Sequence, residues 1–217
     1  MNHKKRFNRG ASYYTTDRYP GRGNCMRKVL EVLDPQQDDV ILDLGCGPGI
    51  QLIELSHLIK SGYGVDPAEE MIRRANTEST GYTNLHFFVG SAENIPEVNF
   101  PGEINKIYSN YALHHLSDQD KRIAISNLTE LLPNEGLFIL GDLMFSDAPE
   151  KHQDLFEFVG YGPGSDTPAD IKTIEHIFTS AGLKLSTYIL TPLTGVIVGL
   201  KTHFVKADRQ GRADAAV

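Results

Sequence analysis

Apolar residues along this chain follow two rhythms. Short unbroken runs such as Val40-Ile41-Leu42 and Leu137-Phe138-Ile139-Leu140 are bounded by glycine, proline or acidic residues and read as buried strands. Between such runs apolar positions recur at helical spacing, as at Ile123, Leu128, Leu131 and Leu132, with Ser117 or Asp118 as N-cap and Pro133-Asn134-Glu135-Gly136 as the stop. The pattern predicts strands near residues 39–44, 62–65, 84–89, 104–109, 136–142, 183–190 and 194–204. It predicts helices near 22–33, 50–60, 68–77, 118–132, 149–159 and 168–181. Regular alternation of the two is the signature of a parallel sheet wound on both sides. The last two strands are joined by Thr191-Pro192-Leu193-Thr194, too short for a parallel crossover, so they must pair antiparallel. The expected fold class is α/β: a single doubly wound, mostly parallel seven-stranded sheet with a C-terminal antiparallel hairpin and helices on both faces.

The first strand breaks into Asp43-Leu44-Gly45-Cys46-Gly47-Pro48-Gly49 directly before a helix. Glycine there lets backbone approach a ligand closely, and a helix start offers unpaired N–H groups and a positive dipole end. A dinucleotide fingerprint starting at Gly45 would need glycine where Ile50 stands, and a P-loop would need an absent Gly-Lys-Ser/Thr ending. The second strand ends at Asp66, 21 positions beyond Gly45, where an acid is placed to accept hydrogen bonds from ribose hydroxyls.

Asp43, Gly45, Gly47 and Gly49 meet D-x-G-x-G-x-G in full, and together with Asp66, Glu93 in Gly90-Ser91-Ala92-Glu93-Asn94-Ile95-Pro96, and Asn110-Tyr111-Ala112-Leu113-His114-His115-Leu116 they resemble the class I S-adenosylmethionine (SAM) methyltransferases. The resemblance runs from about residue 25 to 200. It implies SAM as cofactor, wrapped by Gly45, Cys46 and Gly47. Asp43 is expected on the cofactor's ammonium or, alternatively, as a local cap of the loop. Asp66 is expected on the ribose, or capping the helix that starts at Pro67. Ser91, Ala92 and Glu93 occupy the segment beside the adenine, with Ser91 replacing the family's acid, and Met71 suits the adenine face. Asn110 is expected on the methionine part. His114 or His115 is the candidate general base, against a purely structural role in the turn.

Composition narrows the partners. With 217 residues, 40% of them hydrophobic and 23% charged, the chain fits one globular domain with a full core. Its longest apolar runs fall short of a bilayer span and its N-terminus lacks a signal-peptide core, so a cytoplasmic location is expected, with no membrane partner. A net charge of −7 disfavours a nucleic-acid partner, although Lys4, Lys5, Arg6 and Arg9 open the chain and Lys206, Arg209 and Arg212 lie near its close. The expected partner is a small-molecule acceptor; a homodimer stays open. Cys25 and Cys46 form no disulfide framework, and no metal-ligand spacing stands out.

The domain is expected over 22–204, after an N-terminal lid or tail over 1–21 and before a tail over 205–217. Tyr13, Tyr14 and Tyr19 fit an aromatic lid over the sulfonium, with Tyr14 as the catalytic candidate among them, and Arg18 and Arg22 are the nearest cations for an acceptor carboxylate. The glycine- and proline-rich connection 145–168 suits a substrate lid, with Asp142 and His152 as secondary candidates. Methyl transfer on an oxygen, nitrogen or carbon nucleophile leads the readings. Other sulfonium chemistry, either cyclisation or aminocarboxypropyl transfer, and a non-catalytic SAM-binding module are the alternatives.

Overall fold

The computed structural model describes residues 22–95, 98–158 and 166–202. Seven strands, β1 Val40–Leu44, β2 Ser61–Asp66, β3 Leu85–Val89, β4 Lys106–Asn110, β5 Leu137–Leu143, β6 Leu183–Thr191 and β7 Thr194–Lys201, form one sheet in the order β3-β2-β1-β4-β5-β7-β6. The first five run parallel, and β7 is antiparallel to both β5 and β6. The helices are α1 Arg22–Leu33, α2 Ile50–Leu55, α3 Glu69–Glu78, α4 Asp118–Leu131, α5 Gln153–Phe158 and α6 Ile171–Ser180. This is the expected fold class.

Alternate residues of the central strands serve opposite cores. Ile41, Tyr108 and Ile139 face the layer with Val29, Leu33, Leu52 and Ile72, whereas Leu42, Ile107 and Phe138 face the layer with Ile125, Leu128, Ile174 and Phe178. Both faces are therefore apolar, which is why these strands read as unbroken runs. Ile123, counted in the α4 stripe, is instead 40% exposed; Ala124, Ile125 and Leu128 form the buried stripe.

Two helices differ from expectation. The predicted helix over 50–60 stops at Leu55, because the Asn84 amide donates to the carbonyls of Ser56 (2.8 Å) and Ile59 (3.2 Å) and holds them in a turn. The predicted helix over 149–159 is split: a 3₁₀ turn, Pro149–Lys151, precedes α5, and the His152 ring at the break is tied back to Asp147 and to Ser146. Ser117 is the N-cap of α4, its hydroxyl accepting from Asp120 N–H at 3.2 Å. No described helix is long and apolar enough to cross a membrane.

Strand order reverses between β1 and β4, so their connections leave in opposite directions and open a crevice at the C-terminal strand ends. Leu44, Asp66, Asn110 and Leu143 close their strands on that edge. The candidate residues gather there.

Candidate functional site

The glycine loop is latched to β2. Gly45 and Cys46 N–H groups both donate to Val65 O (2.7 and 3.1 Å), Gly47 N–H donates to Asp66 Oδ2 (2.9 Å), and Gly49 N–H to Cys46 O (3.0 Å). These four N–H donors are thus spent within the protein, and the loop is held in one shape. Its glycines are needed for shape: Gly45, Gly47 and Gly49 have φ of 77°, 54° and 75°, and a Cβ on Gly45 would lie 2.3 Å from Ala112 Cβ. Cys46 is buried and its thiol pKa is pushed well up by burial and by Asp43 and Asp66, so it is a filler and no nucleophile.

Asp66 holds the glycine loop with one oxygen and the entry to α3 with the other. Its second oxygen accepts from Ala68 N–H at 2.8 Å; Ala68 is itself the N-cap of α3, so Asp66 braces the entry to the helix without capping it, and the carboxylate presents only its remaining lone pairs to a ligand. Burial raises its pKa against these two hydrogen bonds.

Asp43 sits beside Tyr108 in the β1–β4 register and accepts the Tyr108 hydroxyl at 2.8 Å through Oδ2. Its Oδ1 is buried with no hydrogen-bond partner. Burial, and more weakly Asp66, push the carboxyl up to about 7 against the Tyr108 bond. The loop-capping alternative is replaced by this tyrosine contact. On the same face of β4, Asn110 is 5% exposed, and both its Oδ1 and Nδ2 lack partners. Buried polar groups are nearly always satisfied, so two such groups at adjacent strand ends mark a place where a polar ligand completes the structure.

Met71 is buried near the start of α3, and Ala92 is buried in the loop after β3. Ser91 donates twice to Asn94 Oδ1, from N–H (2.7 Å) and from its hydroxyl (3.0 Å), which leaves the hydroxyl oxygen only as an acceptor. Glu93 is exposed.

Behind β4 a 3₁₀ turn, Leu113–His115, carries the two histidines. Asp142 accepts from His114 N–H (2.9 Å) and Leu143 N–H (2.8 Å), and the His114 ring meets it through Nδ1 at 2.5 Å. A carboxylate already gathering N–H donors takes this ring N–H as well, which places the free lone pair of neutral His114 on Nε2. Burial lowers the His114 pKa against the pull of Asp142. Nε2 of His114 and Nδ1 of His115 face Asp166 Oδ1 at 3.6 and 3.2 Å. Tyr111, with φ of 55°, lies edge-on to His114, and Arg22 lies 5.6 Å over its ring.

Tyr108 and Asp166 escaped the sequence reading. Tyr108 is two positions before Asn110 and shares its face, a signal that strand alternation carries. Asp166 lies in the irregular 145–168 connection, where no periodicity assigns a neighbour. Tyr13, Tyr14, Tyr19 and Arg18 lie outside the described residues. A cleft lined by Asp38, Lys60, Tyr63, His86, Glu103 and Asn105 opens at the opposite, N-terminal edge of the strands, away from the loop.

Residues 41–136 match a family profile described as a methyltransferase domain. An uncharacterized methyltransferase of Oceanobacillus iheyensis is 34% identical over 127 residues, covering 58% of this chain and 57% of that protein. One from Anoxybacillus flavithermus is 28% identical over 172 residues, or 76% and 77% of the two chains. The chain thus spans little more than half the length of the first of these relatives. Among solved structures, the YcgJ protein of Bacillus subtilis superposes with a TM-score of 0.70 at 18% identity, covering 83% of this chain and 99% of that one. DhpI in a complex with SAM gives 0.71 at 15% identity, covering 91% and 95%.

Proposed function

We propose that this chain, a member of the class I, Rossmann-like SAM-dependent methyltransferase family, transfers the SAM methyl group to an oxygen, nitrogen or carbon nucleophile of a small-molecule acceptor. The observation that carries the reading is the pair of buried, unpartnered groups beside the glycine loop, Asp43 Oδ1 and the Asn110 amide. They fit the cofactor's amino-acid end: Asp43 takes the ammonium, and Asn110 has a donor and an acceptor for the methionine part. Asp66 keeps the loop latched while its spare lone pairs serve the ribose, and Met71, Ser91 and Ala92 line the adenine end.

When bound, SAM supplies an electrophilic methyl group on a cationic sulfur. The protein's own work is alignment, exclusion of water and management of one proton. That proton goes to the His114–His115 pair, with Asp142 orienting His114. Either His114→Ala or His115→Ala should lower kcat by about 100-fold while S-adenosylhomocysteine affinity stays near native. Native rates in both variants would leave the histidines structural. Asp66→Ala should weaken S-adenosylhomocysteine binding by about 1.5–3 kcal/mol and also lower the melting temperature, because cofactor contact and clasp share one carboxylate. Affinity unchanged alongside a lower melting temperature would confine Asp66 to the clasp.

The reading keeps the domain at 22–204 and a cytoplasmic location, and the net charge of −7 supports an acceptor other than nucleic acid. Incubation with labelled SAM and a small-molecule extract, followed by mass analysis, tests it. S-adenosylhomocysteine together with an acceptor heavier by one CH2 is expected. Methylthioadenosine would instead mean attack on the aminocarboxypropyl carbon, and binding without turnover a non-catalytic module.

A further inference from the structure

We infer that His114, His115 and Asp166 bind a divalent transition-metal ion, zinc being the best match to this ligand set. One donor atom from each residue lies within 4.8 Å of the other two. The two nitrogens stand 3.6 and 3.2 Å from Asp166 Oδ1. Ligands on zinc at about 2.0–2.2 Å span tetrahedral edges of about 3.3 Å. The two nitrogen–oxygen separations are within reach of one shared ion.

The surroundings support it independently. The far nitrogen of His114 is held by Asp142, the carboxylate–histidine arrangement that orients metal-bound imidazoles and raises their basicity. Asp166 is carried to the histidines by a built clamp. Thr167 N–H donates to His114 O (2.6 Å) and its hydroxyl donates to Leu116 O (2.6 Å). Lys121, only 2% exposed, donates to Thr167 O (2.6 Å), Leu116 O (2.8 Å) and Asp118 Oδ1 (3.0 Å). A buried lysine thus fastens the Asp166 segment to the histidine turn while its own charge points at carbonyls and Asp118, away from the ligand atoms.

Side-chain exposures of 5%, 16% and 7% for His114, His115 and Asp166 leave two carboxylates, Asp142 and Asp166, enclosed with two imidazoles. Two nitrogens with one oxygen suit zinc, leaving a fourth position open to water or to an oxygen donor. Adjacent histidines and a distant aspartate form no recognisable motif, which is why sequence reading assigned no metal here. Cation and proton compete for the same nitrogen lone pairs, so the base role proposed above belongs to the cation-free form, and metal binding is a separate property, read without SAM or acceptor.

The test uses the full chain, stripped with chelator and titrated with cobalt(II), then zinc. One cobalt per chain with visible d–d absorption, displaced by one equivalent of zinc, is expected. Asp166→Ala and His115→Ala should each weaken binding by more than about 100-fold while keeping the native circular dichroism spectrum. Failure to bind either metal stoichiometrically, or binding unchanged in both variants, would overturn the assignment. S-adenosylhomocysteine titration of the same preparation keeps the outcomes apart: the nucleoside binding without metal defeats this inference alone, and metal binding without the nucleoside defeats the methyltransferase reading alone.

Discussion

Asp43→Asn is expected to lower S-adenosylhomocysteine affinity by about 10- to 100-fold at pH 8, the worth of a hydrogen bond to a charged partner. The same change should raise the melting temperature of the cofactor-free protein. Burial pushes the Asp43 carboxyl up to about 7 from an ordinary 3.8, so its folded-state pKa lies above its unfolded one. Its stabilising contribution is fully present below the unfolded value and is lost as pH rises through about 7; at pH 8 the ionised group burdens the empty fold, and asparagine removes that burden. Ligand binding has the opposite sign. The ammonium needs the ionised carboxylate, so wild-type affinity should fall as pH drops below about 7, whereas Asp43→Asn should bind with little pH dependence. Calorimetric titrations at pH 6 and pH 8, with thermal melts alongside, check both halves. A wild-type affinity indifferent to pH would detach Asp43 from the ligand. Tyr108→Phe, which deletes the hydrogen bond that lowers the Asp43 pKa, should move the limb to higher pH.

Gly47→Val is expected to abolish measurable S-adenosylhomocysteine binding while the domain still melts cooperatively. Gly47 has φ of 54°, where a β-branched residue is an outlier, and its N–H is the loop's bond to Asp66 at 2.9 Å. Relieving the strain requires the backbone to leave that region, which unlatches the loop from β2 and frees the Asp66 carboxylate it positions. Strain of about 1–3 kcal/mol is survivable for a domain stable by about 5–15 kcal/mol. Circular dichroism melts and titration of the same sample separate lost folding from a lost site; native affinity in a folded Gly47→Val protein would contradict the role of the loop.

The sheet was readable because Ile41/Leu42, Ile107/Tyr108 and Phe138/Ile139 each supply both cores, giving apolar runs whose lengths only strands satisfy. The hairpin followed from the shortness of the Thr191-Pro192-Leu193-Thr194 connection. Helix ends were less legible, since α2 is stopped by Asn84, a residue 28 positions from Ser56 in sequence, and no local signal reports that. The same limit applies to the site. The glycine loop, Asp66 and Asn110 announce themselves by residue type and spacing, but the partner of Asp43 is Tyr108, 65 positions away, and emerges only from strand register. That loop donors would be spent on Val65 and Asp66 was equally invisible, because glycine serves a ligand and a tight turn alike. Asp166 reaches the histidines through Thr167 and Lys121, a contact made by side chains across an irregular connection.

The central claim is that the buried, unpartnered Asp43 and Asn110 groups receive the amino-acid end of SAM. Comparing the binding of S-adenosylhomocysteine with that of methylthioadenosine, which keeps the nucleoside and lacks the amino-acid group, tests it directly. The account predicts that wild type prefers S-adenosylhomocysteine by at least about 100-fold at pH 8 and that Asp43→Asn sharply narrows the preference. Equal affinity of wild type for the two nucleosides would contradict it.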